Sequence, residues 1–251
     1  MARLKAVTDF LDHELNRSEI PDYPGALNGL QIENAGEVSM VVSAVDASLP
    51  VIEKAVALGG DLLVVHHGIF WQGAQKVTGA VYRKLKLAMD HDMALYSSHI
   101  PLDVHPALGN NVLLAKQLGM SEPTPFFDWK GIKLGLRQEL DISRDELFKR
   151  VSHAVGGSVH QCLGGNDRVG MVGVITGGAG SEVAAMVECG IDTFVTGEGP
   201  HWSYALAEEL GINVFYAGHY ATETFGVRAL ASELGREFGL KTEFIDHPTG
   251  L

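Results

Sequence analysis

Residues 38–68 read VSMVVSAVDASLPVIEKAVALGGDLLVVHHG. Val38 to Val45 is an apolar run that predicts a strand. Leu49 to Leu58 carries apolar residues at helical spacing and stops at Gly59, and Asp61 to Val65 is a second unbroken apolar run. This is the strand–helix–strand grammar of an α/β protein. Two adjacent histidines, His66 and His67, close the second strand just before Gly68. Open α/β sheets build their sites at the C-terminal ends of strands. The bland alternative is one core histidine followed by one loop histidine.

The same grammar runs outward in both directions. Residues 3–16 place Leu4, Val7, Phe10, Leu11 and Leu15 on one helical face. After the histidines a helix is predicted over about 78–91, a strand over Met93 to Ser97, and a helix from Asn110 to Gly119. Ser121 to Pro125 reads as a linker. Beyond it come a strand over Gly131 to Leu140 and a helix over Ser143 to Val155, which opens with the capping-box pair Ser143 and Glu146. Strands at Val169–Thr176, Asp192–Thr196, Asn213–Ala217 and Lys241–Ile245 then alternate with helices at Ser181–Cys189, Pro200–Leu210 and about 221–238.

Residues 38–68 align without a gap to residues 169–199. Eight of the 31 pairs are identical, among them Met40/Met171, Gly59/Gly190, Asp61/Asp192 and Gly68/Gly199, against roughly two expected from ordinary usage. The likeness continues where Leu95-Tyr96-Ser97-Ser98-His99 parallels Phe215-Tyr216-Ala217-Gly218-His219. Each of these histidines is followed four positions later by an acid, Asp103 or Glu223. The expected fold is therefore two related α/β domains from an internal duplication, with a metal site between them. One domain comprises residues 1–124 plus about 215–251, and the other about 125–214.

Composition bounds the function. The chain has 251 residues, 46% hydrophobic and 20% charged, with a net charge of −12. That is a globular composition, and the acidic balance argues against non-specific binding to nucleic acid or anionic membrane. Cys162 and Cys189 lack metal-ligand spacing and read as reduced thiols. The N-terminus has no signal-peptide core and no segment reaches membrane-span length, so the cytoplasm is the expected location.

Imidazoles mixed with carboxylates suit borderline divalent ions such as Zn, Mn, Fe or Ni. His66, His67, His99, Asp103, His219 and Glu223 all fall at or just after predicted strand ends. Six groups exceed what one ion with an open position needs, and two ions use them better. Individually each has an ordinary reading: Glu223 as a first-turn acid, Asp103 as a turn cap, His99 as a core residue. The repeat places Glu198 opposite His67, so Glu198, together with His201, becomes a candidate for the surroundings of the site. His105, His153, His160 and His247 read as ordinary residues. Gly177-Gly178-Ala179-Gly180 lacks the lysine and spacing of a phosphate loop.

At Asn28-Gly29-Leu30-Gln31, Val64-Val65-His66-His67-Gly68, His99-Ile100-Pro101-Leu102-Asp103, Thr196-Gly197-Glu198 and Ala217-Gly218-His219-Tyr220-Ala221-Thr222-Glu223 the chain resembles the Nif-three-like family of dinuclear-metal-centre hexameric proteins. These are also known as GTP cyclohydrolase 1 type 2 homologues, and the likeness is to the short bacterial form. The resemblance implies two divalent metal ions per subunit bound by His66, His67, Asp103, His219 and Glu223, with His99 close by. It also implies a two-domain α/β fold and a toroidal homohexamer. Tyr220 departs from close relatives, which often carry a second histidine there. The implied activity is metal-dependent hydrolysis of a small-molecule substrate, a purine nucleotide such as GTP, by water attack that opens the ring at C8. His99 or Glu198 would move protons as catalytic residues. A phosphoester hydrolase or another amidohydrolase would use the same ions, and the rival from another class is a non-catalytic metal-binding or regulatory ring protein.

Overall fold

The computed structural model describes residues 1–251, which group into two compact units. The first comprises Met1–Leu102 and Gly226–His247, and the second Asp103–Phe225 and Pro248–Leu251. The sequence had suggested that the first unit runs to residue 124 and resumes near 215, and two elements account for the difference. The helix Asn110–Gln117 packs Leu114 and Leu118 against Leu140, Leu147 and Val169, and the strand Asn213–Tyr216 pairs inside the second sheet.

The first unit is built on a five-stranded sheet in the order Lys241–Phe244, Met40–Asp46, Leu62–His67, Ala94–Ser97, Gly29–Ile32. The first four strands are parallel, and the last is antiparallel to its neighbour. The parallel strands are apolar on both faces because helices cover them. Val42, Leu63, Val65 and Leu95 pack against Val51, Ile52 and Ala55 of the helix Leu49–Ala57. Ser48 starts that helix by accepting a bond from the Val51 amide, and Gly59 ends it at a φ of +74°. The strand Leu62–His67 runs longer than the apolar run predicts and takes in both histidines.

The second unit has a six-stranded sheet in the order Thr124–Trp129, Ile132–Ser143, Arg168–Val174, Thr193–Thr196, Asn213–Tyr216, His160–Leu163. Its three strands from Arg168 to Tyr216 are parallel, and the flanking pairs are antiparallel. The predicted linker at Ser121–Pro125 is instead the approach to an edge strand beginning at Thr124. That strand turns back through Lys130 and Gly131, both at positive φ, as a two-residue hairpin requires. Pro125 is tolerated because the strand lies at the sheet's edge. Ser143 does cap the following helix, accepting from the Glu146 amide at 3.1 Å.

The strand–helix–strand cores of the two units match in single hydrogen bonds. Val41 stands opposite Leu62 in the first sheet, and Val172 opposite Thr193 in the second. The Asp61 amide donates to the Met40 carbonyl, and the Asp192 amide to that of Met171. Asp61's carboxylate accepts from the amides of Ser39 and Met40 at 2.7 and 2.9 Å. Asp192's accepts from Gly170 and Met171 at 3.1 and 2.6 Å. The third strand corrects the sequence alignment by one residue. Leu62 pairs with Ala94 and Thr193 with Asn213, so Ser98 is matched by Ala217, His99 by Gly218 and Ile100 by His219. The one-turn helices Ile100–Asp103 and His219–Thr222 agree with that register. No helix is long and apolar enough to cross a membrane.

Candidate metal centre

In the first unit three imidazoles converge at the C-terminal end of the parallel strands. His66 and His67 end the strand Leu62–His67, and His99 follows the neighbouring strand Ala94–Ser97. Ring centroids lie 4.7 Å apart for His66 and His67, 4.9 Å for His66 and His99, and 5.6 Å for His67 and His99. One ring nitrogen from each lies within 4.8 Å of the other two. The two consecutive histidines can share this site because His66 is fully buried while His67 is partly open.

Each ring is anchored at Nδ1. His66 Nδ1 donates to the Ser98 carbonyl at 2.9 Å, His67 Nδ1 to Asp46 Oδ1 at 2.8 Å, and His99 Nδ1 to Asp22 Oδ1 at 2.8 Å. These oxygens accept only, so Nδ1 carries the proton and Nε2 holds the lone pair that a metal needs. Asp46 reaches His67 because the two residues are directly paired across adjacent strands. Burial pushes the Asp22 carboxyl upward, but His99, Asn28 Nδ2 and the Tyr23 amide outweigh it and hold Asp22 below the usual carboxylate range. Trp71 sets its ring edge-on to His99 at 4.7 Å and to His67 at 5.7 Å.

The segment Asn28 to Gln31 fastens the loops that carry these groups. Asn28 Oδ1 accepts from the His99 amide at 2.8 Å, and Gln31 Oε1 from the Ile69 amide at 2.9 Å. Gln31 lies so close over Gly68 that a Cβ there would overlap its amide group, which is why a glycine follows His67.

In the second unit His219 lies between two carboxylates. Its Nδ1 is 2.9 Å from Glu198 Oε1 and its Nε2 is 3.1 Å from Glu223 Oε1. Burial pulls the His219 pKa down, but Glu223 first and Glu198 second more than reverse this, and it is pushed up to about 9. The Glu223 carboxylate beside it is 2% exposed, so a buried negative charge faces the imidazole. Gly177 turns at φ +68° under Glu223, where a Cβ would overlap Oε1. Asp103, also buried, accepts from Asn110 Nδ2 at 2.8 Å and Thr176 Oγ1 at 3.3 Å.

The structure thus groups His66, His67 and His99 in one unit, and His219, Glu223 and Glu198 in the other. Glu198 and His201 line one cavity of about 730 Å³ with His160, Tyr204 and Tyr216. His105 has an ordinary role, its Nδ1 accepting from the amides of Ala107 and Leu108. The sequence reading missed Asp22, Asp46 and the Ser98 carbonyl. A carboxylate at a strand end beside a histidine-bearing strand was the available signal for Asp46. The donor chemistry fits a borderline divalent ion: oriented imidazole nitrogens in one unit, and a histidine with a buried carboxylate in the other.

The family model Duf34/NIF3 (NGG1p interacting factor 3) matches residues 2–249. The chain is 40% identical over 235 residues to a protein of Deinococcus radiodurans named GTP cyclohydrolase 1 type 2 homolog, covering 91% of this chain and 88% of that one. A Pyrococcus abyssi protein of the same name is 41% identical over 250 residues, with 98% of both chains covered. Among solved structures, a protein described as ybgI, of unknown function, superposes with a TM-score of 0.90 at 34% identity over 99% of this chain and 100% of that one. TTHA1606 of Thermus thermophilus superposes with a TM-score of 0.87 at 37% identity over the same shares. The chain belongs to the DUF34/NIF3 family.

Proposed function

We propose that the protein is a metal-dependent hydrolase with two divalent ions per subunit, bound by His66, His67, Asp103, His219 and Glu223. The observation that carries this reading is the triple anchoring at Nδ1, which leaves three imidazole Nε2 atoms prepared as ligands or as a base. Bound ions would lower the pKa of a water and supply the nucleophile at neutral pH. The residues do the rest. Asp22 holds His99 in the tautomer whose Nε2 can take a proton from water or return one to the leaving nitrogen. Glu198 orients His219. The names of the curated relatives support GTP as the substrate; opening of the purine at C8 by water, a homohexameric ring and a cytoplasmic location complete the proposal.

The test is metal analysis joined to turnover. Purified protein reconstituted with Zn, Mn, Fe or Ni should hold about two ions per chain and hydrolyse at least one member of a purine nucleotide panel. His67→Ala should lower both. Two retained ions with no turnover for any metal would replace this reading with a non-catalytic metal-binding protein, and no retained ion would remove both.

A further inference from the structure

A cavity of about 370 Å³ opens in the first unit beside the histidines, and it contains no acid. Gly68, next to His67, forms part of its wall, as does Trp71, which touches both His67 and His99. Three of its features are hydrogen-bond donors. Lys84 is half-buried on its wall. Burial lowers the Lys84 pKa, and the field of Asp46 offsets this only in part. The Trp71 indole nitrogen is buried and has no hydrogen-bond partner. Ala80 and Val81 belong to the first turn of the helix Gly79–Asp90, whose N-cap Thr78 makes no side-chain cap. First-turn amides have no intrahelical acceptor, and the helix dipole adds positive potential there. Ile69 and Val81 add apolar wall, and Gln72 and Gln75 add neutral polar groups.

A cation, an orphaned N–H and an uncapped helix start in one acid-free cavity call for a ligand rich in acceptors and negative charge. We infer that this cavity is a phosphate subsite, in which Lys84, the Trp71 indole N–H and the first-turn amides of Gly79–Asp90 hold a phosphate group of the substrate next to the histidine cluster. The assignment to a nucleotide rests on the hydrolase reading above, whereas the anion binding itself does not.

Isothermal titration of the chelator-treated, metal-free protein with GMP, inorganic phosphate and guanosine separates the two. GMP should bind at least about tenfold more tightly than guanosine, and Lys84→Met should remove that difference. Lys84→Arg should keep most of it, which guards against a folding defect in the methionine variant. Trp71→Phe, which keeps the ring but loses the donor, should weaken GMP several-fold. The metal content of reconstituted Lys84→Met should equal that of the wild type. Phosphate binding as tight as GMP would identify free phosphate as the ligand and overturn the nucleotide assignment. Unchanged GMP affinity in Lys84→Met, or GMP no tighter than guanosine in the wild type, would overturn the subsite. If Lys84-dependent GMP binding holds and no metal supports hydrolysis, the hydrolase reading falls and the subsite stands.

Discussion

Asp46 and Asp22 make the same kind of contact to different histidines, and their substitution separates two roles. Asp46→Ala removes the acceptor that fixes the His67 tautomer, so metal affinity should fall by about 10- to 100-fold. Competition against a chromophoric chelator measures it, and an unchanged dissociation constant would remove His67 from the ligand set. Asp22→Asn acts on His99, which is read here as a proton carrier rather than a ligand. It should lower kcat by about 10²-fold or more while the metal content stays constant. Gly177→Ala probes the second unit. Its added methyl meets Glu223 Oε1 and its φ of +68° disfavours any side chain. Retained ions should drop, stability should fall by about 1 kcal/mol, and the far-ultraviolet circular dichroism should be unchanged. At this scale the sequence was informative where residue type and position coincided. His66 and His67 end a strand, and His219 and Glu223 open and close the one-turn helix that follows another, in the region where α/β proteins place their chemistry. Asp22, Asp46 and the Ser98 carbonyl reach their histidines through tertiary structure, and Asp22 lies in a loop that no periodicity distinguishes from any other.

Asp61 and Asp192 tie each strand–helix–strand element together by accepting from two amides at the start of the preceding strand. Burial raises the Asp61 pKa, but bonds from the Ser39 hydroxyl and the Ser39 and Met40 amides dominate and lower it. A carboxyl depressed in the folded state contributes stability above its unfolded value, and that contribution is lost as pH falls through the folded value. Asp61→Ala should therefore cost about 1–2 kcal/mol at pH 7 in urea unfolding, and the gap to wild type should close as pH falls below the usual aspartate range. A gap that stays constant with pH would assign the loss to packing instead. The shared aspartate was visible in the ungapped alignment of residues 38–68 with 169–199. The third strand was not, because its histidines attract an alignment that places His99 on His219. The sheet register places His99 on Gly218, so the two histidines leave their strands one residue apart. Side-chain identity misled where hydrogen-bond pairing decides. The hairpin Thr124–Trp129 with Ile132–Ser143 was hidden for a related reason: two prolines near its start look like a linker, and only its edge position makes Pro125 compatible with a strand.

At the scale of the whole molecule the chain leaves its first unit after Leu102 and re-enters it at Gly226, so the first unit cannot close its sheet until Lys241–Phe244 is available to pair with Met40–Asp46. The proposed ligands divide along the same line, His66 and His67 in one unit, Asp103, His219 and Glu223 in the other. Bound ions make a specific thermodynamic prediction. Binding to the native state alone stabilises it by about 2.7 kcal/mol when free metal is at 100 times its dissociation constant. Wild-type protein should accordingly melt several degrees higher with metal than after chelation. His67→Ala and Glu223→Ala should each reduce that metal-dependent shift, and the double variant should lose little beyond the worse single one, because groups serving the same ions are not independent. Differential scanning fluorimetry across a metal titration reads all four proteins. Losses that add fully in the double variant would mean that His67 and Glu223 do not serve the same ions.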